Sequence, residues 1–267
     1  MKFLTSTFCV CLTSLALLSP VRAEGDSLAV TPEARTDKNS QAAHEMLLAK
    51  ARRGGIDLYF EGDSITRRWG ATDYPAFLAN WRKNFFGWNA ADFGWGADRI
   101  QNILWRVENG ELDGVNPKVI VILAGTNNIG KTPPGEGKVG EITEGIRGLV
   151  GLCRQKAPSA TIILTAIFPR NDNLAAIPTI NRVNEALAKL ADGSSVRFLN
   201  VNGRLADKDG IWFEGMTIDK LHPSLAGYQV WADGLRPILG KLLGPPAATD
   251  HAPPPTGDPS SIARASQ

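Results

Sequence analysis

Apolar and polar positions alternate along this chain with a period that switches back and forth. Residues 57–61 (DLYFE) are short, apolar and strand-like, and they end at a glycine. From 74 to 85 the apolar residues Phe77, Leu78, Trp81 and Phe85 recur at the spacing of one helical face. A second strand is predicted over 88–93. From Arg99, the residues Ile100, Ile103, Leu104 and Val107 form another helical stripe, which stops at Asn109-Gly110. Residues 118–124 (KVIVILA) are a near-continuous β-branched run, as expected of a strand covered on both faces. A Gly/Pro-rich loop over 130–138 leads into a helix over 139–156, and 161–168 (TIILTAIF) is another buried strand. A helix opens at Pro178 with Ile180, Val183, Leu187 and Leu190 on one side. A fifth strand follows at 196–201, and Ser224 starts a last helix reaching about Leu243. Five strands alternating with helices predict an α/β fold: a three-layer α/β/α sandwich around a five-stranded, mostly parallel sheet. Ligands in such folds sit at the carboxyl ends of the strands, so the residues just after each strand carry the chemistry.

Composition narrows the class. The chain has 267 residues, 21% charged and 43% hydrophobic, a globular profile unlike that of a disordered or collagenous chain. Lys2 precedes an apolar run from Phe3 to Leu18, followed by Pro20 and Val21-Arg22-Ala23. A basic start, an apolar centre and small residues three before and one before the cut predict a secretory signal peptide over 1–23. The apolar run is about 16 residues, short for a membrane span. An uncleaved anchor is the competing reading. Loss of Lys2 and Arg22 brings the 29 basic residues to parity with the 27 acidic ones. A neutral chain has no electrostatic footprint for nucleic acid or an anionic membrane. Cys153 is then the one cysteine left, which excludes an intrachain disulfide, and with so few histidines a zinc site is disfavoured. Residues 24–36 read as a flexible leader. Residues 245–267 hold six of the 17 prolines and read as a Pro-rich disordered tail, leaving one domain over 37–244.

Three histidines limit the chemistry. His44 reads as a half-exposed helix residue and His251 as solvated in the tail, which leaves His222, in Asp219-Lys220-Leu221-His222-Pro223. An Asp three residues before a His can accept its Nδ1 hydrogen and leave Nε2 free as a base, although Asp-x-x-His also occurs by chance. Ser64 follows the first strand in Gly62-Asp63-Ser64-Ile65. There the turn can present a hydroxyl, and the Ser64 N–H can face a developing oxyanion. Equally, Asp63 or Ser64 can simply cap a helix. Neither Gly-x-Ser-x-Gly nor a Gly-rich phosphate loop is present, which disfavours a lipase-type elbow and a Walker NTPase. The third strand ends in Gly125-Thr126-Asn127-Asn128, where Asn127 offers a neutral amide donor or an ordinary turn residue. The second ends in Gly94-Trp95-Gly96-Ala97-Asp98, small enough to let N–H groups approach a ligand. All four segments follow strands on one edge, and together they offer a nucleophile, donors, a base and its orienter.

These blocks resemble the SGNH (GDSL-type) serine hydrolases, whose fold is flavodoxin-like. Gly62-Asp63-Ser64-Ile65 is similar to the family's first block, Gly125-Thr126-Asn127-Asn128 to the third and Asp219-Lys220-Leu221-His222-Pro223 to the fifth, in order, from about 57 to 243. The stretch from Phe93 to Asn128 is similar to the catalytic subunits of intracellular platelet-activating factor acetylhydrolase. The resemblance implies Ser64 as nucleophile, His222 as base and Asp219 as its orienter. It also implies an oxyanion hole from the Ser64 N–H, the Ala97 N–H and the Asn127 amide. Ala97 stands where the family has glycine, so its N–H serves if its φ is negative, with Gly94 or Gly96 as the alternative donor. The resemblance implies a carboxylic ester hydrolase with no metal or cofactor, pairing as a homodimer. Export and a tight acyl site point to short-chain, chiefly acetyl, esters, with a small-molecule or glycan substrate. Longer acyl chains (a lysophospholipase or thioesterase) and a non-catalytic binding module are the alternatives. Trp95 and Trp212 lie near the motifs and are candidates for substrate contact or for plain packing.

Overall fold

The computed structural model describes residues 28–130 and 137–261. The signal peptide expected over 1–23, most of the 130–138 loop and the last six residues of the expected tail lie outside them. Along the chain run α1 (Lys38–Arg53), β1 (Leu58–Gly62), α2 (Ser64–Gly70), α3 (Pro75–Phe85), β2 (Ala90–Asp92) and α4 (Ile100–Arg106). Then come β3 (Val119–Leu123), α5 (Thr126–Ile129), α6 (Lys138–Lys156), β4 (Thr161–Thr165), α7 (Ile177–Ala188), β5 (Val196–Leu199), α8 (Asn202–Leu205) and α9 (Leu225–Leu243).

The five strands form one sheet in the order β2-β1-β3-β4-β5, and every pairing is parallel. Alternation divides their side chains between two cores. Tyr59, Ile120, Ile122, Ile162 and Leu164 face one way, with Ile103, Ile146 and Leu149 among their neighbours. Leu58, Phe60, Val121, Leu123 and Ile163 face the other way, into Trp69, Trp81, Phe85 and Trp231. Side chains are buried along the whole of β1 and β3, which is why their sequences read as unbroken apolar runs. The tryptophans are mostly packing: Trp69 meets Trp81, Trp231 and Phe85 with ring centroids 4.9–5.6 Å apart.

The chain leaves β1 towards β2 and then crosses to β3 on the other side of β1. The strand order therefore reverses between β1 and β3, and the crevice at their carboxyl ends is where such sheets bind ligands. Gly62 pairs with Leu123 in register, so the segments beginning at Asp63 and Ala124 leave the sheet side by side.

The described parts of both expected flexible segments, 28–36 and 245–261, are docked. Ala29, in a single 3₁₀ turn (Leu28–Val30), is fully buried, and the Glu33 N–H donates to the Gln101 carbonyl at 2.9 Å. At the other end the Ala247 N–H donates to Gly87 O and the Thr72 N–H to Thr256 O. The Asp250 and Asp258 carboxylates accept from the Gly87 N–H and the Asn39 amide. Proline content indicated a free tail, but a proline-rich segment is also pre-extended and loses little entropy on docking. Residues 245–261 form a strap over β2 and α1. His44 also departs from its expected half-exposure: it is buried, with Nδ1 2.7 Å from Glu111 Oε1.

Candidate active site

Ser64 begins α2. Asp63 caps that helix by accepting from the Ile65 N–H at 2.8 Å, which fixes the turn out of β1 and sets Ser64 at the sheet edge. A Cβ on Gly62 would run into the Leu123 carbonyl, so the close approach of β1 and β3 requires glycine there. Asp63 is wholly buried. Burial, the largest influence, pushes its carboxyl up to about 7, and its Oδ2 has no hydrogen-bond partner.

His222 arrives from the far end of the domain on a pinned turn. Thr217 and Pro223 pair as an antiparallel bridge, the Asn171 N–H donates to Lys220 O at 2.7 Å, and Lys220 takes φ +68°. The turn aims the ring at the serine. Ser64 Oγ is 2.9 Å from His222 Nε2, and His222 Nδ1 is 2.8 Å from Asp219 Oδ2. Asp219 Oδ1 also accepts from the His222 N–H at 2.8 Å, so the carboxylate holds the ring and its backbone together. Burial raises the Asp219 carboxyl, but the His222 hydrogen bonds outweigh it and the pKa falls below its ordinary value. Burial first, and Arg68 second, hold the His222 pKa below the ordinary imidazole value. The ring is therefore a neutral acceptor at neutral pH, and its Nδ1–H donates to Asp219.

Gly125, at φ +114°, turns β3 into α5 and brings Asn127 to the same edge. Asn127 Nδ2 donates to Asp98 O at 2.8 Å, leaving its second N–H for another acceptor. The guanidinium of Arg170 clamps this loop from below, donating to Thr126 O at 2.9 Å and to both oxygens of Asp172.

Ala97 does not have the negative φ expected of it. It sits at φ +63°, the left-handed conformation that glycine adopts freely. The segment is held by charge: Arg35 Nη1 donates to Gly96 O and to Asp98 Oδ1, each at 3.2 Å. Asp98 in turn takes Arg106 Nε at 2.7 Å. Arg106 is buried among three carboxylates, Asp98, Glu61 and Glu111. Among the described residues, neither the Ser64 N–H nor the Ala97 N–H has an acceptor. Of the alternatives to Ala97, Gly94 already gives its N–H to Asp92 Oδ1 at 2.7 Å. The Ser64 N–H and the spare Asn127 N–H flank a hydroxyl that is hydrogen-bonded to a base, the arrangement needed for acyl transfer through an oxyanion.

Trp95 and Trp212 are not brought to this edge as open faces. The Trp95 indole is buried, donates to Ser40 Oγ at 2.8 Å and lies against the Arg67 guanidinium. Trp212 is buried and donates to Pro169 O at 3.1 Å. Arg35, Arg68, Arg106 and Arg170 all reach the site or its supports, and sequence reasoning missed them. One signal was available for Arg68, which lies four residues after Ser64 and so on the same helical face.

Comparison with known proteins places these features in context. The model of the GDSL-like Lipase/Acylhydrolase family matches residues 60–230. Platelet-activating factor acetylhydrolase IB subunit alpha1 of Bos taurus is 30% identical over 225 residues, spanning 84% of this chain and 92% of that protein. The alpha2 subunit of Rattus norvegicus is 30% identical over 209 residues, 78% of this chain and 86% of that one. A GDSL-like lipase of Bacteroides thetaiotaomicron superposes with TM-score 0.59 at 18% identity, covering 75% of this chain and 98% of that one. An acetyl-xylooligosaccharide esterase from Geobacillus, in a mutant form, superposes with TM-score 0.52 at 20% identity, covering 69% and 94%. The last two share the fold.

Proposed function

Because the chain belongs to the GDSL-like lipase/acylhydrolase family and is a carboxylic ester hydrolase, we propose that it is an exported serine esterase for short-chain, chiefly acetyl, esters of carbohydrate alcohols. The observation that carries this reading is the unbroken chain from Ser64 Oγ through His222 to Asp219, with steps of 2.9 and 2.8 Å. His222 Nε2 takes the Ser64 proton as Oγ attacks the ester carbonyl. Asp219 orients the ring and stabilises its charged form. The oxyanion is held by the Ser64 and Ala97 N–H groups and by Asn127 Nδ2. The tetrahedral intermediate collapses, and the alcohol leaves with the proton from Nε2. Water then attacks the acyl-serine, again giving its proton to His222, and releases the acid and free Ser64.

The alcohol side is supported by a cleft of about 330 Å³ beside Ala97, lined by Glu33, Arg35, Thr36, Arg99 and Asn102. Its polar groups suit hydroxyls better than a hydrocarbon chain. Export rests on the apolar run from Phe3 to Leu18 and the Val21-Arg22-Ala23 triplet. Among the described residues no helix is long and apolar enough to cross a membrane. One observation favours longer acyl chains instead: the segment bearing His222 leaves Ile211, Phe213 and Ile218 41–52% exposed.

Hydrolysis of p-nitrophenyl esters from acetyl to decanoyl separates these readings. Rates should fall with chain length, vanish with Ser64→Ala and drop about 10²–10³-fold with Asn127→Ala. A maximum at octanoyl or decanoyl would put the apolar rim in control and overturn the acetyl assignment. Turnover that survives Ser64→Ala would remove the serine mechanism.

A further inference from the structure

Ser64, Asn127, Asp219 and His222 leave one charged group at the site without a role. Arg68 follows Ser64 by one helical turn on α2, and its Nη1 donates to Asp219 Oδ2 at 3.3 Å. That oxygen is the one that receives His222 Nδ1. The guanidinium carbon lies 5.6 Å from the centre of the Tyr74 ring, a cation–π contact that gives the fork a fixed seat. Its remaining Nε and Nη2 donors have no partner among the described residues. The Arg68 and Asp219 side chains are 23% and 42% exposed. An ion pair so wet adds little to folding, so its weight falls on the groups it touches.

We propose that Arg68 is a positioning residue of this esterase, one that bears on Asp219 and, by its charge, keeps His222 unprotonated and able to act as a base further into acid. The proposal rests on the reading of Ser64, His222 and Asp219 as the catalytic set. The carboxylates around the ring act the opposite way. Asp219 favours the imidazolium, as does Asp172 in the segment after β4, although Asp172 is held by Arg170. Lys220 lies in the turn between Asp219 and His222, and Ser64 opposite the ring is neutral. Burial opposes protonation of the ring, and so does Arg68, which shares Asp219 Oδ2 with His222 Nδ1. Opposition of this kind has a purpose in a site whose base sits on a carboxylate. Asp219 alone would raise the ring's affinity for a proton and switch the serine off as the medium turns acid.

The test is proton NMR titration of the His222 ring in wild type, Arg68→Gln and Arg68→Lys, with His222→Asn for assignment. It is read beside kcat/KM against pH for p-nitrophenyl acetate. In Arg68→Gln the ring midpoint should rise by about half a pH unit at low salt, and the acid limb of kcat/KM should move with it. At pH 6 kcat should then fall about two- to threefold with KM unchanged, and the profiles should converge above pH 8. Arg68→Lys, which keeps the charge, should retain the wild-type midpoint. Arg68→Met keeps the stem against Tyr74 and gives the same comparison if the glutamine variant folds poorly. A midpoint that stays in place in both neutral variants overturns the proposal. The titration needs no substrate, so absent turnover, or turnover surviving Ser64→Ala, defeats the esterase mechanism and leaves the Arg68 result standing.

Discussion

Ala97 carries the sharpest local conflict in the chain. An L-residue with a Cβ at φ +63° is held roughly 1–2 kcal/mol above its preferred backbone state. It stays there because its neighbours are fixed from both sides, Gly96 O by Arg35 and Asp98 by Arg106. Ala97→Gly should therefore stabilise the protein by about 0.5–1 kcal/mol, lifting Tm by about 2 °C, with kcat/KM unchanged within about twofold. A lower Tm by calorimetry would mean that the methyl group packs usefully and outweighs the strain. Left-handed backbone at this residue also accounts for the missed expectation. The family resemblance names the residue that replaces glycine, but the φ it must take is set by two arginines that meet it only after folding.

Secondary elements were legible wherever sequence-local physics decides them. The apolar runs that become β1, β3 and β4, and the Ser224 cap of α9, which accepts from the Gly227 N–H, needed no tertiary information. Expectation and structure part at β2, predicted over 88–93 and found at Ala90–Asp92. Trp88 is drawn away to donate to Gly244 O, and Asn89 turns at φ +49°. The site divides the same way. Ser64, Asn127, Asp219 and His222 were readable because each lies in a compact motif, the first two just past strand ends and the last two within one turn. Arg106 was not singled out in the sequence, since its partner Glu61 lies 45 residues away. Burial raises the Glu61 carboxyl against the pull of Arg106. Arg106→Met should cost about 3–5 kcal/mol by leaving buried carboxylates without their cation. Those carboxylates would have to hold protons in the folded variant, so folded protein would bind more protons than unfolded. Stability of the variant should then fall as pH rises, and urea midpoints should separate further from wild type at pH 8 than at pH 5. A pH-independent gap would show that lost packing, not charge, sets the cost.

Across the whole molecule, the two outer segments act as fastenings. Lys50 is the buried point where one of them closes. Its Nζ donates to Asp92 O at 2.6 Å and to Thr256 Oγ1 at 2.8 Å, and burial lowers its pKa to about 8. Removing everything from Pro245 onward should cost about 2–4 kcal/mol, seen as an earlier urea transition. At 25 °C kcat should stay within about twofold, because the strap touches neither Ser64 nor His222. An unchanged transition would restore the reading of this segment as a free tail. The same fastening dictates an order of events during synthesis. Asp258 meets Asn39 across 219 positions of the chain, so the cover of the first long helix comes from residues made long after it. While a nascent chain is still tethered to the ribosome, α1 and the edge strand lack their cover and Lys50 lacks Thr256. Docking of the strap is therefore the late step, completed on a domain that already holds its sheet and its site, and what it adds is cover for α1 and the edge strand.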